Sequence, residues 1–224
     1  MNLKPPPDRL YGRQRTHALR PRQQKLLDVT LPRLRYVPGT PFPDGIGETW
    51  LEVGFGGGEH ARALAAATPQ AGLIACEVFE QGLCSMLAAL VPEGGEATHP
   101  LPANLRIWDD DARTLLRALP PASLDRLMLM FPDPWPKARH AKRRFVHPDI
   151  VTLAVDRLRP GAEWRIASDD PTYQSWVAEV MHGRPEFAAC EPVSQRPAGW
   201  PPTRYEAKAL RAGRTPLYWS FIRR

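Results

Sequence analysis

Glu52-Val53-Gly54-Phe55-Gly56-Gly57-Gly58-Glu59 is the stretch on which the fold of this 224-residue chain turns. A short apolar strand candidate, residues 49–53, runs into it, and an amphipathic helix candidate, residues 59–67, leaves it. Glycines between a strand and a helix permit a tight turn and let a ligand approach the backbone at a helix N-terminus. The dinucleotide fingerprint G-x-G-x-x-G is not completed, because its third glycine, counted from Gly54, falls on Glu59. A carboxylate facing a pyrophosphate is unfavourable, so a nicotinamide or flavin enzyme is disfavoured. Glu52, just before the turn, points the same way: an acid there suits a cationic ligand, such as a methionine carrying an ammonium and a sulfonium centre.

Outward from this turn, short apolar runs alternate with amphipathic ones. Strands are expected at 49–53, 72–77, 105–108, 124–131, 163–167 and 217–222, and helices at 59–67, 79–90, 112–119, 148–158 and 173–182. Regular β–α alternation argues for an α/β fold with a doubly wound, mostly parallel sheet covered on both faces. Residues 92–103 read as a surface loop. Residues 1–45 contain eight prolines and many cations, with a helical pattern only over 21–34. They are expected to form a basic arm, partly disordered until bound, on a domain spanning 46–224.

Composition narrows the function. No apolar run approaches the roughly 18 residues of a membrane span, and the N-terminus lacks the apolar stretch of a signal peptide. Three scattered cysteines, Cys76, Cys84 and Cys190, suit neither a disulfide framework nor a metal knuckle, and the six histidines show no ligand spacing. A cytoplasmic protein with no membrane association and no metal is expected. Charge is unevenly spread: residues 1–40, 137–144 and 196–224 hold 21 of the 30 Lys and Arg but only three acids, so they carry +18 against −12 for the rest. Brought together, such segments would form a footprint for a polyanion.

In doubly wound sheets, ligands bind beyond the carboxyl ends of the strands. The second strand ends at Glu77, placed to accept hydrogen bonds from ribose hydroxyls. The third ends in Asp109-Asp110-Asp111, of which one acid can reach an adenine amino group while another caps the next helix. Glu52, Gly54, Gly56, Gly58, Glu77, Asp110 and Asp111 together resemble the cofactor site of class I S-adenosylmethionine-dependent methyltransferases. That resemblance implies S-adenosyl-L-methionine as cofactor and a Rossmann-like seven-stranded sheet.

The fourth strand ends in Phe131-Pro132-Asp133-Pro134-Trp135-Pro136-Lys137-Ala138-Arg139-His140-Ala141-Lys142-Arg143-Arg144-Phe145. Prolines on both sides of Asp133 restrict the backbone and hold the acid at the sheet edge, where a cofactor methyl is expected. Trp135 is near enough to stack on a base, as are Tyr173 and Tyr205 if they are not core residues. This stretch is similar to the signature of the bacterial tRNA (guanine-N7)-methyltransferase family, typically FPDPW-x-K-x-RH-x-KRR. Residues 167–173, ASDDPTY, resemble that family's T-D-W-x-x-Y segment, and residues 202–206, PTRYE, its T-[RK]-[FY]-E motif. The likeness runs from about residue 49 to the C-terminus. Ser168 and Asp170 depart from it, standing where Thr and Trp are usual, while Asp169 is retained.

The resemblance implies methyl transfer to N7 of a guanine in the tRNA variable loop, position 46, by a monomer or homodimer. Asp133 is implied as the catalytic residue, which also touches the cofactor. Lys137, Asp169, Thr203, Arg204, Tyr205 and Glu206 are implied at the substrate nucleotide. Arg139, His140, Lys142, Arg143 and Arg144 are expected to grip tRNA phosphates. N7 has an in-plane lone pair and no proton, so attack needs no general base, only placement and a carboxylate to oppose the positive charge that develops on the purine. Two rivals differ in class. Methyltransferases of exocyclic amines carry an Asx-Pro-Pro-aromatic motif, but here one proline separates Asp133 from Trp135 and a cationic run follows. A silent RNA-binding protein would have no use for the acids and glycines of the first strand turn.

Overall fold

The computed structural model describes residues 18–188 and 190–224. They form two compact units, one ending at Leu119 and the other beginning at Pro120. The first 17 residues of the expected arm lie outside the described residues.

In the first unit the remaining arm is one helical run: α1 (Pro21–Lys25), a π-helical turn (Leu26–Thr30) and α2 (Leu31–Leu34). The wide turn ends two residues before Pro32, which has no N–H to donate back along the helix. Leu26, Thr30, Leu31 and Leu34 are buried, so this segment is docked rather than awaiting a partner. The arm's expected disorder is thereby corrected from Pro21 onward, and its cause lies in the loop after α4 (Glu80–Leu90), on which the π turn packs. Glu96, 1% exposed, accepts an ion pair from Lys25 at 2.9 Å and lies 3.7 Å from Arg22. Thr30 Oγ1 and Arg33 Nη1 donate to its carbonyl, and Arg33 Nη2 to that of His99.

Lys25, with help from backbone N–H groups including that of Gly94, lowers the Glu96 pKa to about 2. A folded pKa below the unfolded value of about 4.3 means that this anchoring is complete above that pH and fades as pH falls toward the folded value. Glu96→Gln is therefore expected to speed amide exchange over residues 21–34 at neutral pH. The wild type should loosen progressively on acidification below about pH 5 and match the variant only near and below about pH 2, where Glu96 is protonated in the folded protein. Equal protection of those amides in both proteins would separate the arm from Glu96.

The same unit contains β1 (Glu48–Val53), α3 (Glu59–Ala67), β2 (Ala71–Cys76), β3 (Leu105–Trp108) and α5 (Ala112–Ala118). Its strands are parallel in the order β3-β2-β1, with Glu48 opposite Ala71 and Leu73 opposite Leu105. All six residues of β2 are buried, as expected of a strand covered on both faces. Leu51, Leu73, Ile74, Leu105 and Ile107 form the floor of this core, each worth roughly 1.5–3 kcal/mol of burial.

The second unit contains β4 (Leu124–Met130), a 3-10 helix (Ala138–Arg143), α6 (Pro148–Arg157), β5 (Leu158–Ser168), α7 (Pro171–Met181), α8 (Arg204–Arg211) and β6 (Leu217–Ile222). Its strand order is β4-β5-β6, β4 and β5 being parallel and β6 antiparallel to β5. Strand β5 begins earlier than residue 163 because Leu158 pairs with Leu124 before a register shift restores pairing at Glu163. Helix α8 adds to the helices expected from the sequence: its residues are strongly polar, and only the Thr203/Glu206 capping box marks its start.

Among the described residues there are six strands, three in each unit, and not the expected seven. Residues 183–203 lie where a further strand would be sought, but they contain five prolines. Their ladder pairing is limited to isolated bridges, Phe187 with Arg223 just past β6 and Val193 with Tyr218 in it. Proline lacks the N–H that a ladder requires, so contact stays local.

Candidate active site

In the first unit, the residues beyond β1 and β2 form a closed hydrogen-bonded turn. Gly54 and Phe55 donate their N–H groups to the Cys76 carbonyl at 2.8 and 3.2 Å. Gly54, Gly56 and Gly58 have φ of 75°, 59° and 82°, a left-handed path that favours glycine, and Gly58 opens α3. A Cβ at Gly54 would meet nothing within 4 Å, so the backbone is open to a ligand there. At Gly82, near the start of α4, a Cβ would collide with the Gly56 carbonyl oxygen.

The acids around this turn have distinct environments. Glu52 is 1% exposed and bonds through Oε2 to His60 Nδ1 at 3.0 Å. His60, itself buried on α3, escapes sequence reasoning because eight residues and a turn separate it from Glu52. Glu59 folds back toward Gly57, keeping negative charge over the turn. Glu77 Oε2 accepts from the Gly56 N–H at 2.7 Å, and Oε1 from the N–H groups of Val78 and Phe79 at 2.8 and 3.0 Å. The aspartates after β3 divide their roles. Asp109 holds Arg35 in a bidentate pair at 2.6 and 2.9 Å. Asp111 caps α5 by accepting from the Arg113 N–H and also binds the Arg113 guanidinium. Asp110 alone of the three is exposed. Its backbone carbonyl accepts from the Cys76 thiol, which burial holds well above its ordinary pKa and so keeps from reacting as a thiolate.

In the second unit, the stretch after β4 is rigid and strained. Phe131 and Trp135, bracketing Pro132-Asp133-Pro134, have φ of 53° and 45°. For bulky residues this region is an outlier that costs on the order of 1–3 kcal/mol each and persists only where surroundings enforce it. Phe131 is enforced by its N–H bond to the Ala167 carbonyl at 2.8 Å and by packing with Trp200 and Tyr218. Between the two strained residues Asp133 is exposed.

The cations that follow are not equivalent. Lys137, Arg139 and Lys142 are exposed. Arg143 lies over the Trp135 ring at 4.8 Å, and His140 meets that ring edge-on. Desolvation, then Arg143, Arg139, Lys137 and Lys142, lower the His140 pKa and so disfavour its charged form. Arg144 does not face solvent as a phosphate grip would. It is 6% exposed, donates from Nε to the Pro134 carbonyl and from Nη2 to that of Trp135, both at 3.1 Å, and lies 4.7 Å over the Trp176 ring.

Beyond β5, Asp169 is ion-paired with Arg214 Nε at 2.6 Å. The departures beside it have clear uses: Asp170 caps α7 by accepting from the Tyr173 N–H, while the Ser168 hydroxyl accepts from the Asp170 N–H. Tyr173 is fully buried and belongs to the core, which removes it as a base-stacking group. Thr203 and Glu206 are buried and form the capping box of α8. Glu206 also accepts from Arg196 at 3.0 Å and from the Tyr218 hydroxyl at 2.9 Å. Of this motif, Arg204 and Tyr205 face solvent. Several exposed cations of the basic segments, Lys25, Arg33, Arg35, Arg196 and Arg214 among them, are thus already paired with groups of this chain, and Arg144 is buried. Among the described residues no group of acids, histidines or cysteines could hold a metal, and no helix is long and apolar enough to cross a membrane.

A family model described as a methyltransferase matches residues 47–218. A protein of Granulibacter bethesdensis named tRNA (guanine-N(7)-)-methyltransferase is 65% identical over 225 residues, covering 100% of this chain and 99% of the relative. A protein of the same name from Paramagnetospirillum magneticum is 42% identical, covering 96% of this chain and 93% of its own length. Among solved structures, the 16S rRNA methyltransferase KamB superposes with a TM-score of 0.57 at 18% identity, covering 85% of this chain and all of that one. An O-methyltransferase of Thermotoga maritima matches with a TM-score of 0.52 at 14% identity, covering 94% of this chain and 69% of that one. The fold is the Rossmann-like α/β fold of class I methyltransferases.

Proposed function

This chain belongs to the tRNA (guanine-N(7)-)-methyltransferase family, and on that premise we propose that it transfers a methyl group from S-adenosylmethionine to N7 of guanine in tRNA, at position 46 of the variable loop. The observation that carries the reading is Asp133: an exposed carboxylate at the end of β4, set between two strained residues and followed at once by exposed cations.

The residues of the first unit suit the methyl donor. The β1–α3 turn and the end of β2 present Glu52, Glu59 and Glu77, and residues 48–60 and 71–80 contain no Lys or Arg. Such a set of acceptors favours an ammonium, a sulfonium and sugar hydroxyls over phosphates. Glu77 would face the ribose, Asp110 the adenine amino group, and the open backbone at Gly54 the amino-acid moiety. Glu52, paired with His60, would set the negative field beneath that moiety. S-adenosylmethionine supplies an electrophilic methyl on sulfur, and transfer leaves a neutral thioether and a cationic guanine.

The residues of the second unit then position the base and offset its charge. Asp133 holds the guanine edge and opposes the positive charge arising on the ring, which favours the transition state over the neutral ground state. Asp169 and Lys137 contact the nucleotide, with Arg214 setting the direction of the Asp169 carboxylate. Arg204 and Tyr205 close from α8. Lys137, Arg139, Lys142 and Arg143 hold the phosphates. We read residues 1–45 as an arm on the methyltransferase domain 46–224, and the cytoplasm as the place of work.

The test is incubation of the full chain with unmodified tRNA and methyl-labelled S-adenosylmethionine, followed by nucleoside identification and mapping. The expected product is a single 7-methylguanosine in the variable loop. Label on an adenine or cytosine amine, or on a guanine elsewhere, would sink the reading.

A further inference from the structure

We infer that Arg144 is a positioning residue for the methyl-transfer step, holding the Asp133 turn in its strained shape, and not one of the side chains that grip tRNA. The inference rests on the proposed role of Asp133. Three observations converge on Arg144. It is among the few charged side chains of the second unit that are buried, although it ends a run of five cations within eight residues. Its guanidinium spans two consecutive carbonyls, those of Pro134 and Trp135, at 3.1 Å each. Its planar face rests on Trp176, a buried residue of α7.

Those carbonyls are the ones that must be held. Pro134 follows Asp133 directly, and Trp135 carries one of the two left-handed φ angles that bracket the acid. Neither carbonyl joins a strand ladder, because β4 ends at Met130 and the following 3-10 helix starts only at Ala138. A planar, forked donor can bridge two neighbouring carbonyls from one fixed plane, and stacking on Trp176 sets that plane. An ammonium, as a compact point charge, cannot do both. The other end of the turn is fixed separately, through the Phe131 N–H bond to Ala167. The turn is therefore clamped at both ends, by the sheet before Asp133 and by Arg144 after it.

A phosphate grip and a backbone clamp predict opposite results. We would compare Arg144→Lys and Arg144→Gln with wild type in single-turnover methyl transfer at saturating tRNA and S-adenosylmethionine, and in tRNA binding over a salt series. For both variants the saturated rate is expected to fall by roughly 10- to 100-fold, the scale of small misplacements of a catalytic group. Their tRNA affinity and salt slope should stay at wild-type values. Lys142→Ala, the control, should flatten the slope by about 1, as loss of one phosphate contact does. An Arg144→Lys protein with the wild-type saturated rate, or with the flattened slope of the control, overturns the inference. So does failure of both variants to fold, which would make Arg144 structural only. Asp133→Ala, run alongside, separates the two readings: full activity there removes the role of Asp133, whereas loss there with full activity in Arg144→Lys removes only the clamp.

Discussion

Asp133→Ala is expected to slow methyl transfer by about 10²- to 10³-fold, the usual cost of removing one group aimed at developing charge. The folded state should be nearly unaffected. The side chain is exposed, and the turn that carries it is shaped by Phe131, Trp135 and Arg144 rather than by the carboxylate. Affinity for tRNA should also change little, because one acid among the exposed cations contributes nothing to counterion release. The loss should therefore lie in the single-turnover rate. Asp133→Asn refines the test: it keeps the shape and a hydrogen-bonding oxygen but removes the charge, so a rate close to that of Asp133→Ala would identify charge compensation as the main contribution. Near-normal turnover in Asp133→Ala, with the fold intact, would take this residue out of the mechanism.

The second large effect is expected at Glu77. Its two oxygens gather the backbone N–H groups of Gly56, Val78 and Phe79, so it shapes the ligand turn as well as facing it. In Glu77→Ala those three donors lose a charged acceptor. With partial access of water, the cost to stability should be about 2 kcal/mol, near the middle of the range for one unsatisfied donor. Binding of S-adenosylmethionine should weaken by roughly 100-fold or more, because the two charge-assisted bonds proposed to the ribose hydroxyls, at about 1.5 kcal/mol each, would be lost together with the shape of the turn. Calorimetric titration measures this directly. Unchanged affinity would place the ribose elsewhere.

Much of the architecture was legible because strand and helix periods alternate so regularly between residues 49 and 182, and because glycines and acids fall directly after the strands. What could not be read was which member of a like-charged group does what. Asp109, Asp110 and Asp111 are interchangeable in sequence; only the position of Arg35 and the start of α5 distinguish a salt-bridge partner, an exposed acid and a cap. Arg143 and Arg144 are equally alike, and the 3-10 turn aims one at the Trp135 ring and the other into the interior. The arm read as unanchored because its anchor, Glu96, lies more than 60 residues away in a loop with no periodic signal. That the described residues hold six strands and not seven follows the same pattern: a family's strand count does not foresee five prolines in one linker.

Gly82 carries a further consequence. With hydrogen as its only side chain, α4 lies against the carbonyl of Gly56 with no flexible group between them. The two backbones are consequently in close contact, and the conformational freedom of three left-handed glycines is given up when the polypeptide folds, before any ligand arrives. The ligand proposed to bind at that surface would then meet a receptor already in shape, so less of its intrinsic attraction would be consumed in immobilising the chain and more would remain as affinity.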